Sequence, residues 1–485
     1  MDYLKKNWAF LAGALVVFIC FCHFVLPSLN AGFRGDDAYN IYYYWSRGPW
    51  PLVKNLLLFF STYYRPMGGV YYLPLYELFG LNPFPYHVAI AILIFINVIL
   101  AYRCATLLSK SRIVGGLCSF LMVYHARMVQ LLYVPAFIYD VLCFTFFFGA
   151  FFYYLRIRCS GKELNWRSLL IFIVLYVAAL ESKEMAVSLP ALLLAYELLW
   201  HPPGRPVTRI WQWLRSTGVP IVVSGAATLA FITGKFLGPE PLSNNPLYHP
   251  TITFGRFLES NVRFAKDIFY LKPEGWFNEQ WLLIVWALLA YLAITRRSRH
   301  LQFALIMILV APLPIAFIPG RGNEMLYIPL FGWALIVATL VETVCSSVSR
   351  EPLFRHLNAK LARAVPLLLA VICIWQQTNL QHRKVTYGLQ LIGQDFWSVK
   401  QQLETLLPAV KPGTQMVFYN DIFRDWSAKF IAELLYKDRS VTVRLNEKWP
   451  LSPSEWTKAD YVLAFDKENK LLILKRPGED FKPLE

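Results

Sequence analysis

The sequence predicts an α-helical, polytopic membrane protein of about eleven transmembrane helices plus interfacial helices, followed by a small extracytoplasmic α/β domain. Three observations lead there. Over 485 residues the chain is 56% hydrophobic, 16% aromatic and only 16% charged, too little polar surface for a soluble globule of this size. Apolar runs such as Trp8 to Leu26, Val88 to Tyr102, Tyr139 to Leu155 and Trp281 to Ile294 approach or reach the roughly 20 residues that cross a ~30 Å hydrocarbon core. Beyond the last apolar run, roughly Val365 to Trp375, the composition changes to short strand-like segments.

The first apolar run is longer than a signal-peptide core and no small-residue cleavage site follows it, so it reads as an uncleaved span. Lys and Arg then mark the short cytoplasmic connections. They cluster at Lys5 and Lys6; at Arg103, Lys110 and Arg112; at Arg156, Arg158, Lys162 and Arg167; at Arg205, Arg209 and Arg215; at Arg296, Arg297 and Arg299; and at Arg350, Arg355, Lys360 and Arg363. Threading spans between these clusters puts the N-terminus inside and the C-terminus outside. Pro66 to Leu81, after the amphipathic Pro51 to Phe60, would invert every later loop if it crossed once. Both segments are therefore expected to be interfacial or partly embedded helices on the outer face.

The net charge of +16 is spread over these loops and forms no single stripe, so it reports topology and not a nucleic-acid partner. The eight cysteines are scattered, mostly within apolar runs and without CxxC spacing, which fits core packing better than disulfides or zinc. The connection from Gly234 to Gln280 is rich in proline, and its middle, Phe254 to Leu271, reads as an amphipathic helix. Near the end, Thr414 to Tyr419, Val441 to Leu445, Tyr461 to Phe465 and Leu471 to Leu474 read as strands, with a helix around Trp426 to Leu435. The domains expected are 1–380, embedded, and 381–485, extracytoplasmic.

On this threading the unusual polar residues gather at the outer face. Asp36 and Asp37 follow the first span. Two adjacent carboxylates beside a low-dielectric membrane suit general-base work, since repulsion and desolvation raise at least one pKa toward neutrality. They would also serve to hold a divalent cation, and either could instead cap a helix. Asp37 lies further from the end of the span, leads into Ala38-Tyr39, and is the expected base. Glu181, Lys183 and Glu184 interrupt an apolar stretch and should sit at a span end or line a polar cavity, as an ion-paired Glu-Lys-Glu or as a short turn. Arg65 and Arg321 stand beside Pro and Gly, where a planar guanidinium grips a lipid-linked phosphate; snorkelling to headgroups competes for Arg65 and less for the glycine-flanked Arg321. His125 and Arg127 close a third outer turn. Asp140, an acid just inside a span, is expected to face the cavity and pair with an Arg or Lys.

Taken in order, Asp36-Asp37, Tyr64-Arg65-Pro66, Leu81-Asn82-Pro83-Phe84 with His87, His125, Tyr139-Asp140-Val141-Leu142, Lys183-Glu184, Leu189-Pro190 and Tyr196-Glu197 resemble the membrane half of the TMTC-type protein O-mannosyltransferases. More broadly they resemble the GT-C superfamily of polyprenyl-phosphate-sugar-dependent glycosyltransferases. Arg321, Glu324 and Leu326-Tyr327-Ile328-Pro329 are similar to that family's Arg-Tyr-Leu-Tyr-Pro-like stretch, with altered spacing. The resemblance spans roughly residues 30 to 335. It implies a GT-C-like fold and an acid in the first outer loop acting as base on an acceptor hydroxyl. It also implies basic residues, Arg321, Arg65 and Lys183, on the donor phosphate. Around them Glu181, Glu184, His125, Arg127, Asp140, Glu324 and Tyr327 are expected in the cavity, toward the acceptor.

The TPR repeats that follow the membrane part in TMTC proteins are absent, and the C-terminal domain is more similar to periplasmic domains of bacterial GT-C enzymes. The expected location is therefore the bacterial inner membrane with the site facing the periplasm. The expected donor is a polyprenyl-phosphate-linked sugar, and the acceptor is a glycan, lipid or protein hydroxyl. No cofactor beyond the possible divalent cation is implied. The alternative function is a transporter or flippase of a lipid-linked sugar, for which charges at both faces and interrupted helices in paired halves would be expected.

Overall fold

A computed structural model of the chain describes residues 2–56, 65–202, 207–237, 249–348, 359–391, 393–423 and 425–480. Tyr64 of the Arg65 motif, the end of the expected helix Pro51 to Phe60, Arg205, Arg350 and Arg355 lie outside the described residues. So do Pro239, Pro241 and Pro246 of the long connection.

The helices begin where local chemistry frees them to begin. Asn82 accepts the Phe84 N–H at 3.1 Å ahead of Pro83, opening the helix Pro83–Ser109. Ser111, Asn165, Thr253, Asn278 and Ser298 likewise accept N–H groups of the first turns that follow them. Among the described residues six helices are long and apolar enough to cross a membrane: Leu11–Ser28, Phe84–Ser109, Pro135–Cys159, Val219–Leu237, Arg299–Ala316 and Asn323–Ser346. Two shorter apolar helices, Arg112–Tyr124 and Glu279–Thr295, accompany them.

Their packing centre is aromatic. Phe144 stacks on Phe148 at 4.2 Å and lies 4.3 Å from Tyr327, and Phe148 meets Phe331 at 4.7 Å. Pro66–Phe79 is 14 residues and about 21 Å long, against a hydrocarbon core of ~30 Å. It wedges between the membrane half and the C-terminal domain, with the Tyr72 hydroxyl bonded to the Pro135 carbonyl and the Tyr76 hydroxyl to the Leu434 carbonyl.

The last long helix runs Ala359–Gln390, past the expected junction at 380, and the α/β unit begins at the helix Gln394–Leu406. Strands β1 (Gln415–Tyr419), β2 (Thr442–Leu445), β3 (Tyr461–Phe465) and β4 (Leu471–Lys475) fall where the sequence places them. They form one sheet in the order β2-β1-β3-β4, with β4 antiparallel to β3 and the other pairs parallel. The helix Ser427–Leu435, between β1 and β2, seats this domain on the helix Gly35–Arg47. Phe430 packs on Tyr39 and Tyr42 at ring distances of 5.7 and 5.1 Å, and Arg439 donates to the Trp45 carbonyl at 2.8 Å. The seat is tight at Gly35, where any Cβ would meet the Asp425 carboxylate and the Ser427 hydroxyl.

Candidate active site

The helix Gly35–Arg47 sends its two acids in different directions. Asp37 is wholly buried: it accepts the Arg34 N–H at 2.6 Å, as in a capping box, and the Ala136 N–H at 2.5 Å. It thus ties the start of its helix to the segment before Asp140. Burial pushes its carboxyl up to about 7, against the pull of those two N–H groups. The expectation that Asp37 aims across the cavity is corrected by this geometry. Asp36, about 100° away around the helix, is exposed.

One turn beyond Asp36, on the same face, Asn40 accepts a hydrogen bond from the Tyr139 hydroxyl at 2.9 Å. The Tyr139 hydroxyl also lies 3.0 Å from that of Tyr44, which donates to the Arg65 carbonyl at 2.6 Å. The Arg65 guanidinium sits 5.1 Å from the Tyr139 ring centre and bonds Glu184 at 2.9 Å. Burial would raise the Glu184 carboxyl, but the Arg65 and Lys235 charges and the Arg65 bond hold it at about 2.

The Glu-Lys-Glu segment is not paired within itself, contrary to expectation. Lys183 reaches both oxygens of Asp140 at 2.6 Å, while Glu184 takes Arg65. The reason is backbone direction. After the helix Trp166–Ser182, Lys183 is extended, so neighbouring side chains point apart. Asp140 is therefore paired, as expected, and Lys183 and Arg65 are ions with partners. Glu181 and Glu324 are also buried, each with one oxygen, Oε1, lacking a hydrogen-bond partner. Glu324 lies within electrostatic reach of Asp140, Lys183 and Arg127.

Arg127 pairs with Asp267 at 3.5 Å, and Arg263 donates to the Arg321 carbonyl at 2.5 Å. The helix Phe254–Ile268 thus lays Arg263 and Asp267 beside the Gly320-Arg321-Gly322 turn, where Arg321 is half-buried. His125 is buried. Its Nε2 lies 2.9 Å from the Ile268 carbonyl, its ring stacks on Tyr270, and burial lowers its pKa to about 4. It serves as a neutral clasp between its own turn and that helix. Tyr327 does not line the cavity as expected: its ring is buried against Phe144 inside the bundle. Glu197 likewise pairs with Arg158 at 2.8 Å at the opposite end of the bundle, about 27 Å along the helix from Asp140.

Among the described residues no three His, Cys, Asp or Glu side chains converge as metal ligands. With Asp37 engaged by two N–H groups, the divalent-cation reading rests on Asp36. Sequence reasoning missed Asn40, Tyr44, Lys235, Arg263 and Asp267. Lys235 carried a usable signal, a charge inside the apolar helix Val219–Leu237. Asn40 carried a weaker one, its place one turn after Asp36.

Fold and polar cluster together define an α-helical polytopic membrane architecture with an appended α/β domain. The same fold is seen in the crystal structure of ArnT from Cupriavidus metallidurans bound to undecaprenyl phosphate, with a TM-score of 0.50 and 12% identity over 94% of this chain and 93% of that one. The apo state of the same protein aligns with a TM-score of 0.47 and 13% identity, over 95% of this chain and 93% of that one. No protein-family model and no curated protein sequence matches the chain.

Proposed function

We propose that this protein is an inverting glycosyltransferase that moves a sugar from a polyprenyl-phosphate donor to an acceptor hydroxyl on the extracytoplasmic face. The observation that carries the reading is the exposed Asp36 carboxylate, one helical turn from an Asn40–Tyr139–Arg65–Glu184 chain and on the same wall of the protein. The ArnT structure of this fold binds undecaprenyl phosphate, which supports a lipid-linked donor. The Lys and Arg clusters at the other span ends support an outward-facing site.

In this reading Asp36 removes the acceptor hydroxyl proton as the oxygen attacks the anomeric carbon. The bond from that carbon to the phosphate oxygen breaks with its electron pair, and polyprenyl phosphate leaves with the charge. Arg321 faces the developing phosphate charge, helped by Arg263 and Arg127, while the paired Arg65 and Lys183 shape the field around it. Asp37 acts as a positioning residue, since it anchors the helix that carries Asp36.

Purified protein given polyprenyl-phosphate-linked sugars and acceptor extracts should release polyprenyl phosphate. Asp36→Asn should lower that rate by roughly 10²–10⁴-fold with donor binding and Tm nearly unchanged. Asp37→Asn should instead lower stability by about 1–3 kcal/mol, because the amide can accept only one of the two N–H groups. Wild-type turnover by Asp36→Asn would remove it as the base. Movement of intact lipid-linked sugar across liposomes without release would favour a flippase.

A further inference from the structure

Apart from the candidate active site, the membrane half and the C-terminal domain enclose a second cleft, of about 390 Å³. Its floor is the turn Gly80-Leu81-Asn82 between the helices Pro66–Phe79 and Pro83–Ser109. Its walls come from the helices Gln394–Leu406 and Ser427–Leu435 and from the Lys437 just beyond them. We propose that this cleft binds the phosphate headgroup of an anionic membrane lipid.

Level comes first. The helix Pro83–Ser109 begins at the cleft, and its outward stripe of Phe84, Ile92, Phe95, Ile96 and Ile99 is exposed apolar surface of the kind that faces acyl chains. Phe79 and Trp397, 47% and 42% exposed, stand at the cleft itself. Amphipathic Trp gathers where hydrocarbon gives way to headgroups. The cleft therefore opens at headgroup depth, immediately above the first turn of a lipid-facing helix.

Charge comes second. The lining holds two ammonium groups, Lys400 and Lys437, and one carboxylate, Glu404. Lys400 gives one N–H to Glu404 at 2.6 Å and lies 4.8 Å from the Trp397 ring centre. Lys437 donates to the Tyr76 and Glu77 carbonyls at 3.4 and 3.3 Å and lies 5.2 Å from the Tyr76 ring centre. An ammonium has three donors, so both lysines keep protons to direct at a phosphate between them. An excess of positive charge beside apolar and aromatic walls at headgroup depth matches an anionic lipid better than a zwitterionic one. The site uses no residue of the candidate active site and does not rest on the glycosyltransferase reading. A bound lipid would bridge Asn82 of the membrane half to the Gln394–Leu406 helix and fix how the C-terminal domain sits on the bilayer.

The test uses the full chain in nanodiscs of equal phosphatidylglycerol and phosphatidylcholine, released and weighed by native mass spectrometry. Wild type should retain phosphatidylglycerol over phosphatidylcholine by roughly tenfold or more, the scale expected of two lysines at a membrane surface. Lys400→Gln should reduce that preference without loosening the domain seat, and Lys400→Gln/Lys437→Gln should bring it near parity. Lys470→Gln, on the β3–β4 hairpin and outside the cleft lining, should leave it intact. An unchanged preference in Lys400→Gln and in the double variant would overturn the proposal. So would retention of inorganic phosphate by delipidated protein, lost in Lys400→Gln, without any phosphatidylglycerol preference, since the site would then serve a soluble anion.

Discussion

Consecutive residues on a helix differ by about 100° in direction, and that rotation makes Asp36 and Asp37 chemically unlike although they are the same residue type. One carboxylate meets solvent and the other meets two backbone N–H groups in the core. Their adjacency was legible in the sequence; which of them faces out was not, because helix phase depends on what the opposite face packs against. His125 makes the same point, since burial and not ring chemistry sets its state. It is neutral in the fold with a pKa near 4, below the ordinary value near 6.5. Its contribution to stability is therefore complete above about pH 6.5 and is lost as pH falls through about 4. The difference amounts to about 3 kcal/mol at most. The Tm of wild type should drop between pH 7 and pH 4 by more than that of His125→Gln, which cannot gain a charge there. Parallel pH profiles for the two proteins would show that the imidazole takes up its proton as readily in the fold as in the unfolded chain.

Among the secondary-structure elements, the site is held by ion pairs that cross between helices. Lys183, at the end of Trp166–Ser182, reaches Asp140 at the start of Ile138–Cys159, and the pair is almost fully buried. Removing one partner strands a charge, so Lys183→Met should cost about 3–5 kcal/mol. Lys183→Met/Asp140→Leu should recover much of that loss, because two apolar groups need no compensation. Thermal unfolding in one detergent checks both, and an additive double variant would mean that the two residues are uncoupled. The sequence flagged both charges as out of place in apolar helices. It could not pair them, since partners 43 residues apart are chosen by which helices pack together.

For the whole molecule, the two halves are joined where two glycine backbones nearly touch. A Cβ on Gly393 would lie 2.5 Å from the Gly32 Cα and 2.7 Å from the Phe33 carbonyl oxygen, and its φ of +81° already disfavours a side chain. Gly393→Ala should lower the stability of the domain seat by about 1–3 kcal/mol and raise protease cleavage between the halves, whereas Gly388→Ala, with open space around it, should do neither. Cleavage no faster than in wild type would mean that the domain is held elsewhere. Reporter fusions after Arg112, Arg167 and Arg299 should report those loops inside the cell. Signals from outside would invert the orientation and the functional reading with it.

The sequence by itself determined the membrane class, the end of each span at which charge gathers, and the strands and helix of the C-terminal domain. Each of these follows from local composition and periodicity, which a chain carries without folding. Only the tertiary structure decided that Lys183 belongs to Asp140 and Arg65 to Glu184, that Tyr327 turns into the bundle, and that Asp36 is the acid left in the open. Those outcomes depend on helix phase and on contacts between segments far apart in the chain. A buried charge takes the partner that packing brings within about 4 Å, whatever its neighbours in sequence suggest.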